Sequence, residues 1–360
     1  LRRNKCSKGW LALFGMLFFC CLPLGAAAEE RQAVVLMYHH FGVDKYPSTN
    51  VRLAQFEAHL DYLATAGYEV WPLTRVVEYV LANKPFPARV VAITIDDAYL
   101  SVYEQAYPRL RARGWPFTVF VATDGVDRHF KAYMSWQQLR EMQQHGATLA
   151  NHSASHDYLI RQRPDENQAQ WLGRLEQDID RAQRRLTEEL GQAPMLFAYP
   201  YGEYNTAVAA LVKRLGYVAF GQQSGPVGLG SDTRVLPRFP MAERFAALAD
   251  FQQKIASLAF PLQSVQPWDP VLRSATSASE EERAPSMVVR LADSDARLAQ
   301  LSCFVSGQGS VPVKWLDRQQ REFVVQAPAA LGPGRSRYNC TAPSSQPGRY
   351  YWFSHLWIRP

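Results

Sequence analysis

The stretch at residues 90–101, VVAITIDDAYLS, decides how the chain is read. Residues 91–95 carry no charge, and their β-branched character predicts a buried strand. Two carboxylates, Asp96 and Asp97, follow side by side at its end. One aspartate at a strand-to-helix turn caps free amides and suits the helix dipole. Two adjacent ones repel each other, and a cation beside them is the simplest remedy.

Outward from this stretch, "AVVLMY", "FTVFVA", "ATLAN", "MLFAYP" and "YVAFG" also read as strands. Amphipathic helical segments such as "LAQFEAHLDYLATAG", "SWQQLREMQQHG" and "ENQAQWLGRLEQDIDRAQRRLTEELG" separate them. This alternation predicts an α/β fold with a parallel sheet over residues 29–262, and the repeat count suits a distorted (β/α) barrel. After Pro261 the texture changes. Residues 263–286 are rich in Pro, Ser and charge and read as a linker. From Met287, short runs such as "MVVRLA", "LSCFVS", "REFVVQAP" and "RYYWFSHLWI" predict a small all-β, sandwich-like module over residues 287–360.

Composition separates the N-terminus from the rest. "LRRNKCSK" is basic, "GWLALFGMLFFCCLPLG" is apolar, and "AAAEE" supplies small residues before charge begins. That order reads as a signal peptide over residues 1–28, with export to the periplasm or an outer-membrane-associated place. A lipid anchor at Cys20 or Cys21 is disfavoured by the bulky Phe18 and Phe19 before them. Losing Arg2, Arg3, Lys5 and Lys8 lowers the net charge from +6 to +2, and no basic stripe remains to bind nucleic acid. Cys303 and Cys340 are then the remaining pair, which export would join as a disulfide.

In parallel α/β folds, ligands bind at the carboxyl ends of the strands. "ATLANHSASHDYL" places His152 and His156 beyond one such end, four residues apart. With a strand-end aspartate they make a three-ligand set that leaves positions open for water and substrate. Nitrogen and oxygen donors without thiolate suit Zn²⁺, with Co²⁺, Ni²⁺ or Fe²⁺ as alternatives. In "FAYPYGEYN", Pro200 and Gly202 force an irregular turn that can present a backbone amide. In "VVLMYHHFG", His39 alone reads as a core histidine and His40 as a surface loop residue. His59, His129, His145 and His355 read as solvated. Tyr133, Met134 and Trp136 are candidates for a sugar groove or for ordinary packing. No G-x-S-x-G elbow supports a serine esterase.

"ITIDDAYLS", "NHSASHDYL" and "FAYPYGEYN", in this order, resemble the polysaccharide deacetylases of the NodB-type carbohydrate esterase group. The early "LMYHH" is similar to the branch that deacetylates poly-β-1,6-N-acetylglucosamine, a biofilm exopolysaccharide. The resemblance implies Asp97, His152 and His156 as metal ligands and Asp96 as general base. It implies His39 as general acid and the Tyr201 amide as an oxyanion donor. It implies a polysaccharide substrate and a hydrolase that releases acetate, with the cell envelope or export machinery as a possible associate. Peptidoglycan or chitin-like glycans are the alternative substrates, and a weakly catalytic glycan-binding relative is the alternative class. Two positions depart from the family pattern. Ala98 stands where Gly follows the aspartates, and Ala198 and Tyr199 stand where an Arg usually orients the base. Arg238, in "VLPRFPM", is the expected replacement for that Arg.

Overall fold

The computed structural model describes residues 1, 29–272, 279 and 283–360. The expected signal peptide lies, apart from residue 1, outside the described residues, and so do Cys20 and Cys21.

Six strands run parallel in sequence order: β1 (Gln32–Tyr38), β2 (Val90–Asp96), β3 (Phe117–Val121), β4 (Ala147–Asn151), β5 (Leu196–Ala198) and β6 (Val218–Phe220). Tyr38 is level with Ile95, and Ile95 with Val119, so the carboxyl ends of β1 to β3 are flush. The sheet curls toward closure. Leu236 bridges Phe220 of β6, while β7 (Phe239–Pro240) pairs with Leu36 and Met37 of β1. Residues 236–240 therefore fill the gap between the first and last strands of a distorted barrel, as the strand–helix alternation predicts.

Side-chain period sets the two faces of β2. Val91, Ile93 and Ile95 point outward into a core shared with Phe56, Leu60 and Leu63 of α1 (Leu53–Thr65) and with Leu139 and Met142 of α2 (Trp136–Gln144). Ala92 points inward with Phe120, Ala150, Ala198 and Phe220. Each buried Val, Leu or Ile contributes about 1.5–3 kcal/mol, so a shift by one residue is strongly opposed. The long α3 (Gln168–Leu190) buries Trp171, Leu175, Ile179, Ala182, Leu186 and Leu190, a stripe at helical spacing. Asn167 caps its start by accepting from the Gln170 amide at 3.0 Å, and Gly191, at φ 79°, ends it.

The C-terminal module is a two-sheet sandwich. One sheet holds β8 (Leu262–Gln266), β9 (Ser286–Leu291), β11 (Val313–Asp317) and β12 (Glu322–Gln326). The other holds β10 (Ser302–Val305), β13 (Gly334–Pro343) and β14 (Tyr350–Arg359), with two short edge strands. Cys303 and Cys340 sit opposite each other on β10 and β13 and are joined by a disulfide.

One sequence expectation changes here. Residues 263–266, assigned to the linker, belong to β8, which pairs antiparallel with β9. The side chains of β8 are mostly polar or exposed, and only Val265 packs against the sandwich core, so no alternation marks the strand. In "RYYWFSHLWI" the alternate aromatics Tyr351, Phe353 and Trp357 pack in the sandwich core, while Leu356 and Ile358, on the opposite face, join the barrel domain's cluster with Tyr199, Tyr204 and Val208. The module is thus packed into the barrel domain through its last strand.

Candidate active site

Asp96 continues the inward row of β2 after Ala92 and Thr94, so its carboxylate enters the barrel mouth and is fully buried. Arg238 meets it there from residues 236–240, the segment that closes the ring. Its two terminal nitrogens donate to the two Asp96 oxygens at 2.7 and 2.8 Å. It also donates to Thr94 Oγ1 at 3.1 Å and to the Gly221 carbonyl at 3.0 Å. Burial alone would raise the Asp96 pKa. The Arg238 charge, with His152 and His39, outweighs it and holds the carboxyl below its ordinary value. The structure therefore brings the sequence-predicted Arg238 and Asp96 into a bidentate pair.

The chain reverses direction at the next residue. Asp97 has φ 77° and Ala98 φ 57°, a left-handed turn that costs a non-glycine residue about 1–2 kcal/mol. The strain sits where glycine was expected, and it turns the Asp97 side chain toward β4. There His152 Nε2 lies 3.2 Å and His156 Nε2 3.0 Å from Asp97 Oδ1. His152 Nδ1 donates to the Ala198 carbonyl at 2.7 Å, which leaves the Nε2 lone pair of the neutral ring facing the carboxylate. Asp97 Oδ1 is buried and accepts no hydrogen bond. Three donor atoms within 4.8 Å of one another therefore face a common point. Nitrogen and oxygen atoms about 2.0–2.2 Å from one divalent ion stand about 3 Å apart, as Asp97 Oδ1 does from each of the two imidazole nitrogens. Burial lowers the His152 pKa, but Asp97 and Asp96 raise it by more, so the site attracts positive charge. Asp97, His152 and His156 fit a divalent metal ion.

The histidine loop is pinned from behind. Asn151 Oδ1 accepts from the Ser153 amide at 2.8 Å, and Ser153 Oγ from the His156 amide at 3.0 Å. Asp178 of α3 accepts from the Ala154 amide and from the Ser155 amide and hydroxyl at 3.1–3.3 Å. Asp178 was not singled out in the sequence, since one carboxylate on a charged helix carries no signal.

His39, beyond β1, has Nε2 3.8 Å from Asp96 Oδ2, and burial lowers its pKa. Tyr201 occupies a turn over Pro200–Gly202 at φ 59°, its ring 4.6 Å from that of His156 and stacked at 3.9 Å on Tyr158. On the other side, His40 stacks between Tyr46 at 4.7 Å and Tyr99 at 3.8 Å, and Tyr99 packs on Tyr133 at 5.1 Å. Burial and the Asp97 charge keep the Tyr99 phenol protonated. Tyr99, missed in the sequence, is signalled only by its place two residues after Asp97.

Other histidine readings are corrected. His40 is buried, not a loop surface residue. His59 is fully buried between the Tyr38 hydroxyl at 3.0 Å and the Ala246 carbonyl at 2.8 Å. His355 is buried, whereas His129 and His145 are exposed as expected, His145 lying 3.0 Å from the Tyr107 hydroxyl. Met134 and Trp136 belong to the main core, while Tyr133 reaches the wall beside Tyr99.

A parallel barrel whose mouth holds an Asp–His–His group fit for a cation, beside a second, arginine-held carboxylate, has the donor set that metal-assisted hydrolysis uses. Residues 83–220 match the polysaccharide deacetylase family, and the chain carries a polysaccharide deacetylase domain. The match contains Asp96, Asp97, His152, His156 and Tyr201 and excludes His39 and Arg238. A putative polysaccharide deacetylase, YxkH of Bacillus subtilis, is 26% identical over 183 residues, covering 51% of this chain and 61% of that protein. Poly-beta-1,6-N-acetyl-D-glucosamine N-deacetylase of Escherichia coli K12 is 25% identical over 244 residues, covering 58% of this chain and 36% of that protein. The chain thus spans less than two thirds of the length of either relative. The structure of IcaB from Ammonifex degensii superposes with a TM-score of 0.55 at 25% identity, covering 62% of this chain and 98% of that one.

Proposed function

We propose that this protein is a metal-dependent N-deacetylase of a β-1,6-linked N-acetylglucosamine exopolysaccharide, releasing acetate. The observation that carries the reaction class is the buried Asp97 oxygen facing two imidazole nitrogens at 3.0 and 3.2 Å, beside a separate carboxylate. The substrate rests on the relatives named for that polymer and on the early His39 motif.

Asp97, His152 and His156 would hold a divalent ion, Zn²⁺ first by donor type, which would supply a more acidic bound water and a Lewis acid for the acetamide carbonyl. Asp96, ionised and held in place by Arg238, takes the proton of the attacking water. The Tyr201 N–H donates to the oxyanion that develops on the carbonyl. His39 delivers a proton to the departing amine, giving acetate and a free glucosamine nitrogen. The His40–Tyr99–Tyr133 wall and the Tyr158–Tyr201 stack supply flat faces for sugar rings. The disulfide supports an oxidising, exported location.

Acetate release from defined β-1,6 and β-1,4 N-acetylglucosamine oligomers tests this reading. The expected result is release from the β-1,6 series, abolished by a chelator and restored by Zn²⁺. No release from either series overturns it. Preference for β-1,4 oligomers moves the substrate to chitin-like or peptidoglycan chains.

A further inference from the structure

The C-terminal module reaches the wall of the active site. Arg335, on β13, donates to the backbone carbonyl of Tyr201, and its Nε lies 3.6 Å from Glu203 Oε1. Its guanidinium stands 5.9 Å from the centre of the Tyr201 ring. Glu203 is 5% exposed, so its carboxylate needs a counter-charge. Beneath the same loop, Leu356 and Ile358 of β14 pack with Tyr199 and Tyr204, which flank the turn on both sides. Ile358 is level with Arg335 across the β13–β14 pair, so one rung of the module supplies both the floor and the clamp.

That clamp acts on a strained residue. Tyr201 holds φ 59°, a conformation disfavoured for any side chain with a Cβ. Its neighbours must over-determine it if its N–H is to keep one direction. We propose that Arg335 is a positioning residue for catalysis. It fixes the Tyr201 peptide in the left-handed conformation that aims its N–H at the oxyanion, making the β-module an integral part of the active site. The oxyanion in this statement rests on the deacetylase reading, whereas the ordering of residues 199–205 by Arg335 does not.

The test uses the full chain carrying Arg335→Ala and Arg335→Lys. An N–H that acts only on the developing oxyanion is felt in kcat. We therefore expect Arg335→Ala to lower kcat about tenfold, with KM within about twofold of wild type. Bound metal should match wild type, and the melting temperature should fall by only a few degrees, from the loss of the Glu203 counter-charge. Arg335→Lys, which keeps one donor and the charge, should recover part of the loss. Hydrogen exchange read on peptides covering residues 199–205 should rise in Arg335→Ala and return toward wild type in Arg335→Lys. Wild-type kcat in Arg335→Ala overturns the proposal. So does a kcat loss matched by equal losses of metal or melting temperature, which would mark a merely structural contact. Unchanged exchange over residues 199–205 overturns it even if the wild-type protein releases no acetate. Absence of acetate release from the wild type itself strikes the deacetylase reading separately.

Discussion

Arg238 places two N–H groups on Asp96 in a site with no exposed surface. Burial pushes a carboxyl pKa up, and here the arginine charge reverses that push. In Arg238→Gln the burial effect loses its largest opponent, so the Asp96 pKa rises. A base must be ionised to accept a proton, and the acid limb of the kcat/KM profile should therefore move to higher pH, with activity at pH 7 reduced. Leaving a buried charge without its partner costs about 3–5 kcal/mol, so the denaturation midpoint should fall as well. A variant whose pH profile superposes on the wild type would show that something other than Arg238 governs Asp96. The pairing was readable in the sequence only as an expectation, because Asp96 and Arg238 lie 142 positions apart. The route that joins them, residues 236–240 closing the ring, is a property of the barrel and of no local motif.

Elements, more than single residues, explain which histidines could be read. His152 and His156 follow a strand whose alternation is plain, so their place at the barrel mouth was legible. His59 lies on α1 and is held by the Ala246 carbonyl, 187 positions away, and by the Phe251 ring at 4.0 Å. No local pattern signals partners that distant. Its Nε2 donates to Ala246 and its Nδ1 accepts from Tyr38, so the packed form is neutral. Burial lowers its pKa from 6.5 to about 4. The folded state thus binds the proton less well than the unfolded chain. The stabilisation is complete above about pH 6.5, shrinks as pH falls from there toward 4, and is gone below 4. Its size is on the order of 3 kcal/mol. His40 and His355, also lowered to about 4 by burial, act in the same direction. Urea midpoints should accordingly drop between pH 6.5 and 4, and His59→Gln should show a shallower drop from a lower starting value. A slope equal to wild type in that variant would mean that His59 does not titrate with unfolding.

At the scale of the whole molecule, the sequence divides at Pro261 more sharply than the structure does. The alternating aromatics of β14 show its module face, Tyr351, Phe353 and Trp357, but nothing local shows that Leu356 and Ile358 on its other face meet the barrel. Trp352, on that second face, stands edge-on to Phe239 of the ring-closing segment at 5.3 Å. Backbone pairing adds to this, since residues 258–259 run parallel with Tyr351 and Trp352. Arg349 also donates to Glu30 at 2.6 and 2.7 Å, tying the module to the start of the barrel domain. A last strand shared between two cores should make them unfold together, because neither keeps its buried apolar surface without the other. Calorimetry should then show one transition for the described domains. Ile358→Ala, which hollows the shared core, should lower that single transition by about 2–5 kcal/mol of stability without splitting it. Reducing the Cys303–Cys340 bond, which removes a constraint on the unfolded chain, should lower the same transition by a further 2–4 kcal/mol, roughly. Two resolved transitions in the wild type, with Ile358→Ala moving only one of them, would mean that the module folds alone and merely rests against the barrel.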